Sequence, residues 1–437
     1  MTIETNEQAL SDTARIARDL IRIDTSNRGG GDANPERPAA DYVADYLRGI
    51  GLEPRIIESA PGRASVVARV AGLDPELPAL VLHGHLDVVP ADPANWSVDP
   101  FAGVVKDGML WGRGAVDMKD MDAMILTSVA ELLRAGERPR RDVIVAFFAD
   151  EEAGGVYGAS YLVDHHPELF AGAATAISEV GGYSIDVAGT RAYLIQTGEK
   201  SLDWIRLRAR GTAAHGSRVW HDNAVTRLAE AIAALGRHEW PLRLCETTRE
   251  LVAELARILD EDPQQVDPEE IVLRLGKGGG FIQASLRTTS NPTGLAAGYK
   301  HNVIPDTAEA LVDVRALPVD QADVLAEIRA TVGDDIEIES VHSDIGLEVP
   351  FGGELVDAMV ASLRRHDPEA RVLPYLLSGG TDNKSLARLG IAGYGFAPLR
   401  LPADLDFPGM FHGVDERVPL DALDFGHRVL VDLLRSY

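Results

Sequence analysis

Three short polar clusters hold the residues that could do chemistry. Leu82-His83-Gly84-His85-Leu86-Asp87-Val88-Val89-Pro90 follows the apolar run Ala79–Leu82 and ends it on a His-x-Asp pair. Gly112-Arg113-Gly114-Ala115-Val116-Asp117-Met118-Lys119 leads into a helical pattern, and Phe147-Phe148-Ala149-Asp150-Glu151-Glu152 closes a second apolar run. Imidazoles and carboxylates gathered at strand ends suit zinc, manganese or cobalt. Two ions side by side need one shared carboxylate and terminal ligands for each. The candidates are His85, Asp117, Glu152, Glu179 and His412. Asp117 is the natural bridge, because an Asp can place one oxygen on each ion. Asp87, two residues beyond His85, is placed to accept a hydrogen bond from the imidazole and fix its tautomer. Glu151 adjoins Glu152, and neighbouring side chains diverge, so one can bind metal while the other stays free as a general base. That chemistry is metal-assisted hydrolysis. The chain has no Gly-x-Ser-x-Gly nucleophile elbow and no His-Glu-x-x-His zinc helix.

The elements that must position these groups follow from apolar spacing. Periods of three and four predict helices over Glu7–Ile23, Arg37–Ile50 and Met118–Arg134. Short apolar runs at Ser65–Val70, Ala79–Leu82, Val143–Phe148 and Ala174–Ile177 predict strands between them, hence an α/β sheet with helices on its faces. Beyond Gly189 the pattern changes to alternation, over Arg191–Gln196, Leu202–Arg210, Gln283–Thr288, Ala308–Ala316 and Glu337–His342. With helices at Asn223–Leu235 and Asp320–Val332, this is an antiparallel sheet covered on one face. Ser343–Gly353 reads as a return linker, after which helix–strand alternation resumes and ends in the helix Leu420–Ser436. The expected fold is a discontinuous α/β/α catalytic domain with a mixed sheet, over 1–187 and 347–437, interrupted by an inserted α+β domain over 188–346.

Composition narrows the partners. With 45% hydrophobic content in 437 residues, a substantial core is available. The net charge of -26 leaves no basic surplus to neutralise phosphates, which argues against nucleic acid and anionic membranes. Cys245 is the single cysteine, so no disulfide can form within the chain, as suits a reducing cytoplasm. Met1–Asp12 has the character of no secretory signal, and no apolar run approaches the ~18 residues a membrane helix needs.

The ordered set of motifs resembles the M20 family of metallopeptidases and amidohydrolases. This group includes aminoacylases, carboxypeptidases, desuccinylases, deacetylases and dipeptidases. Gly84-His85-Leu86-Asp87-Val88-Val89-Pro90 and Trp111-Gly112-Arg113-Gly114-Ala115-Val116-Asp117-Met118-Lys119 carry the resemblance, which spans roughly Ala14 to the C-terminus. It implies a di-zinc site on His85, Asp117, Glu152, Glu179 and His412, with Glu151 as base and Asp87 orienting the histidine. His83 is an extra histidine and is not expected to bind metal. The insert becomes a lid and dimerisation domain, and the chain a homodimer. His215, in Gly211-Thr212-Ala213-Ala214-His215-Gly216-Ser217, matches a histidine that stabilises the oxyanion in the partner subunit's site. Asn302 and Arg315 match substrate-holding positions. A guanidinium fork suits a carboxylate, and the turn Gly379-Gly380-Thr381, opening a helix, offers backbone N–H groups to the same anion.

The segment 240–280 departs from the compact pattern and reads as an enlarged lid. Gly276-Lys277-Gly278-Gly279-Gly280 within it lacks the Gly-Lys-Ser/Thr end of a phosphate loop. The enlargement favours N-acyl-amino acids or carboxypeptidase-type dipeptides as substrates. A succinyl-diaminopimelate desuccinylase or acetylornithine deacetylase is the alternative. A non-catalytic, metal-stabilised binding protein is the remote one.

Overall fold

The structure is a computed structural model that describes residues 10–275, 279 and 282–437. Ala79–His85 and Val143–Phe148 are buried along their whole length, as central strands covered on both faces are. They belong to a ten-stranded mixed sheet. Ala79–His85 lies between Val143–Phe148 and Ala173–Ser178 and runs parallel to both. All three therefore end at one edge, where His85, Glu151, Glu152 and Glu179 follow. Open α/β sheets place their sites at that edge.

Side chains alternate between the two faces. Leu80, Leu82, Val143, Val145 and Phe147 pack with residues of Asp12–Ile21, Lys119–Arg134 and Leu420–Ser436. Ala79, Val81, Ile144, Ala146 and Phe148 pack with Ala159–His165 and Leu386 on the other side. The first helix starts where Ser11 caps it, its side chain accepting from the Ala14 N–H at 3.2 Å.

The second body is a four-stranded antiparallel sheet, ordered Thr289–Ala297, Thr307–Arg315, Leu202–Arg210, Ile336–Asp344. Ile205, Leu207, Ala310, Val312 and Val314 pack against Leu228, Leu235 and Ile328 of two helices, Ala224–Gly236 and Val324–Val332. The other face carries cross-strand ion pairs, Arg206–Glu339, Arg208–Glu309 and Arg210–Glu337.

Three segments differ from the sequence expectation. Ala284–Leu286 is a 3-10 turn, and the strand begins only at Thr289. Pro292 and Gly294 disguise this strand, and an edge position tolerates both. Thr190–Glu199 pairs with Arg371–Leu377 in the large sheet, so the chain leaves that sheet at Lys200 rather than at 188. The helix Glu246–Ile258 buries Leu251, Val252 and Leu255 in the same core as Tyr193, Leu194 and Tyr375. The expected lid enlargement thus packs on the catalytic sheet, which supplies the apolar partner that helix face needs. Of Gly276-Lys277-Gly278-Gly279-Gly280, all but Gly279 lie outside the described residues. Among the described residues, no helix is long and apolar enough to cross a membrane.

Candidate metal centre

The five ligand candidates converge as two triads that share one carboxylate. His85, Asp117 and Glu179 form one, Asp117, Glu152 and His412 the other, with donor atoms within 4.8 Å of one another in each. Asp117 Oδ1 lies 3.1 Å from His85 Nε2, and its Oδ2 lies 3.2 Å from His412 Nε2. Glu152 Oε2 is 3.1 Å from His412 Nε2, and Glu179 Oε2 is 3.6 Å from His85 Nε2. Glu151 stands in neither triad, with Oε2 4.0 Å from His85 Nε2. His83 is turned away, its Nε2 2.9 Å from Asn383 Oδ1. Burial pushes its pKa down to about 4, so it stays neutral.

Burial and mutual repulsion set the electrostatics. Burial, then Asp117, pushes the Glu179 carboxyl up to about 8. Burial raises Glu151 well above the usual carboxylate range; His85 opposes this, and Glu179, Asp382 and Glu152 add to it. Hydrogen bonds to Asp117 and Glu152 lift His412 to about 10. Burial works against a charged His85, but Glu179, Asp117 and Glu151 outweigh it and hold its pKa well above the ordinary value. Among the described residues, only histidines pair with Asp117, Glu151, Glu152 and Glu179. Four carboxylates, Asp117 and Glu179 buried and Glu151 and Glu152 half-buried, without a lysine or arginine partner and beside two imidazoles, are a donor set suited to divalent cations. The residues present therefore fit two ions, one per triad.

Asp87 acts through different atoms than its spacing suggests. Its backbone carbonyl oxygen, not its carboxylate, lies 2.9 Å from His85 Nδ1; the nearer carboxylate oxygen is at 3.7 Å. The carboxylate instead accepts from the N–H groups of Glu151 at 3.0 Å and Glu152 at 3.2 Å, and from Asn27 Nδ2 at 2.8 Å. One residue therefore fixes both the ring and the turn that presents the two glutamates.

A second polar layer, which the sequence reading missed, lies beneath. Asn27 also donates to Asp150 at 3.0 Å, Asp150 pairs with Arg63, and Arg63 Nη1 lies 2.8 Å from Glu36 Oε1. Lys119 Nζ donates to Leu20 O, Ile23 O and Thr25 Oγ1 at 2.9–3.0 Å, pinning the segment that carries Asn27. These residues come from distant segments; Lys119 and Asp150 fall in the quoted motifs, while Asn27, Glu36 and Arg63 carry no signal in the sequence.

Burial, then Asp87, pushes the Glu36 carboxyl up to about 8 from its ordinary 4.5. Between those values the folded chain holds a proton that the unfolded chain has lost, so this group's contribution to stability falls as pH rises from 4.5 to 8. Glu36→Gln should flatten that decline and raise the thermal midpoint at pH 8 relative to wild type. Parallel melts of both proteins across this range check it; an unchanged slope would contradict it.

On the substrate side, His215 and Asn302 come together. Ala214–His215 pairs with Val303–Ile304, and Gly216 N donates to Asn302 O at 2.9 Å. His215 is exposed, its Nδ1 2.9 Å from Ser217 Oγ. Arg315 already forks onto a carboxylate, donating to Asp313 at 2.7 and 3.2 Å. The turn Gly379-Gly380-Thr381 also holds an anion, but one from this chain. Glu199 accepts from Thr381 N at 3.0 Å and from Thr381 Oγ1 at 2.6 Å. Thr381 therefore anchors the strand that leads into the lid. The lid strand Ile336–Asp344 brings His342 close to Gly154, in the loop just after Glu152.

Two triads that share Asp117, with Glu151 outside both, are a donor set that could hold two metal ions. Residues 81–436 match the model of peptidase family M20/M25/M40, and the chain belongs to that family. It is accordingly a hydrolase of amide or peptide bonds. It is 27% identical over 454 residues to an N-fatty-acyl-amino acid synthase/hydrolase, PM20D1, of Xenopus tropicalis, covering 99% of this chain and 87% of that one. It is also 27% identical over 400 residues to human aminoacylase-1, covering 87% of each. The M20 family metallo-carboxypeptidase Sso-CP2 from Sulfolobus solfataricus shares the fold, with a TM-score of 0.75 at 20% identity over 98% of this chain and 99% of that one.

Proposed function

We propose that the chain hydrolyses an amide bond next to a free carboxylate, in an N-acyl-amino acid or a dipeptide, with two zinc ions held by His85, Asp117, Glu152, Glu179 and His412. The observation that carries this is the shared Asp117 between two triads, with Glu151 4.0 Å from His85 and part of neither. Cobalt or manganese would accept the same donors. When bound, such ions polarise the scissile carbonyl and acidify water.

The protein's own groups do the rest. Glu151, with its backbone held by Asp87, takes the proton of the attacking water and returns it to the leaving nitrogen. His215 supplies a donor to the carbonyl oxygen; its exposed position on the lid suits action in a partner subunit. Arg315 and Asn302 hold the substrate carboxylate, Arg315 by exchanging it for Asp313. With Thr381 committed to Glu199, the turn at Gly379 and Gly380 contributes less than its sequence suggests. We place the lid body at 202–240 and 289–344, with 246–275 belonging to the catalytic unit. Homodimerisation through the lid and a cytoplasmic location complete the reading. The exposed edge strand Thr289–Ala297 and the free Cys245 support them respectively.

The test is a mass-spectrometric hydrolysis screen of the purified chain. The panel holds N-acyl-amino acids, dipeptides, succinyl-diaminopimelate and acetylornithine. Cleavage of the first two classes, blocked by methyl esterification of the carboxylate, is the expected result. Preference for succinyl-diaminopimelate or acetylornithine would replace this substrate class, and no cleavage with metal bound would favour a binding protein.

A further inference from the structure

The two triads take ligands from chain segments some 300 residues apart, Asp117 and His412, and one buried ion pair ties them together. Glu416 Oε1 accepts from the N–H groups of Val116 at 2.6 Å and Asp117 at 3.0 Å. Its Oε2 accepts from Arg113 Nη1 at 2.6 Å. Arg113 Nη2 in turn donates to Gly413 O at 2.8 Å, on the residue next to His412. The Arg113 and Glu416 side chains are 3% and 0% exposed.

The backbone joins in. Gly112 N donates to Glu416 O at 3.0 Å, and Met109–Trp111 pairs with Arg417–Pro419. Trp96 lies over the guanidinium at 5.2 Å, and Ser97 N donates to Asp415 Oδ1 at 2.7 Å. His412 and Asp415 both have left-handed backbones, φ +57° and +59°, a strained turn that needs outside support.

We infer that Arg113 and Glu416 are positioning residues with separable effects: Glu416 fixes Asp117, which both triads share, and the second arm of Arg113 fixes His412, which belongs to one. This inference rests on the two-metal reading above. Its content is an asymmetry. A lysine at 113 can keep the bond to Glu416 but cannot fork to Gly413 O. Arg113→Lys should therefore loosen His412 and weaken only the Asp117–Glu152–His412 triad. Glu416→Gln removes the charge that gathers both N–H groups, so it should weaken both triads. Outer-layer partners of metal ligands are worth about 10–100-fold in affinity.

The experiment titrates metal-free protein with Co2+, reading visible absorption and heat together. Wild type should bind two equivalents. Arg113→Lys should bind one equivalent as wild type does and the second about 10–100-fold more weakly. Glu416→Gln should lose affinity for both. Arg141→Lys is the control for general loosening: Arg141 is buried and bonded to Tyr437 O and Pro78 O, near the opposite end of Val143–Phe148. It should destabilise the fold and leave both cobalt affinities intact. Equal weakening of both equivalents in Arg113→Lys, or none, overturns the clamp while leaving the two-metal site standing. No cobalt uptake by folded wild type overturns both.

Discussion

Glu151→Gln lowers kcat by about 10²–10⁴-fold and leaves metal content and KM close to wild type. The geometry separates Glu151 from the ligands. It belongs to neither triad, whereas its neighbour Glu152 is 3.1 Å from His412. Glutamine keeps the size and leaves the backbone N–H bonded to Asp87, so the turn stays in place and only the proton acceptor goes. Kinetics together with elemental analysis of the dialysed variant check the claim. Turnover near wild type would remove Glu151 from the role of base. Loss of a metal equivalent would make it a ligand.

Asp117→Ala should be more severe at the level of binding: both equivalents of metal are lost, and turnover falls below detection. Asp117 is the one residue common to the two triads, with one oxygen toward each histidine. Burial opposes its charge, but hydrogen bonds to His412 and His85 hold its pKa below the ordinary carboxylate value, so it is ionised at neutral pH. Its removal leaves Glu152 and Glu179 raised by burial and no longer linked through a common anion. His412→Ala touches one triad only, and should cost one equivalent. The contrast between two equivalents lost and one is the readout, taken by elemental analysis with circular dichroism to show that both variants fold. Retention of one tightly held ion in Asp117→Ala would contradict the bridge.

Much of the site was legible because metal chemistry needs particular side chains at strand ends. His85, Asp117, Glu152, Glu179 and His412 carry that signal in their own identity, and they converge. What could not be read was who holds whom. The proximity of Asp87 to His85 suggested a carboxylate–imidazole bond, yet the backbone carbonyl takes that place and the carboxylate serves the glutamate turn. A glycine-rich turn before a helix does attract an anion, but sequence cannot say that the anion is Glu199.

The fold shows the same division. Buried strands such as Val143–Phe148 announce themselves by continuous apolar character. The edge strand Thr289–Ala297 contains Pro292 and Gly294, and only its pairing with Thr307–Arg315 reveals it. For the helix Glu246–Ile258, which sheet its apolar face would meet is a tertiary fact. Arg63, Glu36 and Lys119 are charges whose burial depends on partners far along the chain.

The most direct measurement is turnover of an N-acyl-amino acid or dipeptide substrate by metal-stripped protein as zinc is added back, with bound zinc counted at each point. The account predicts no turnover without metal and a rise to full activity that ends at two ions per chain. Full activity in the stripped protein, or saturation with zinc held elsewhere than at the Asp117 triads, would contradict it.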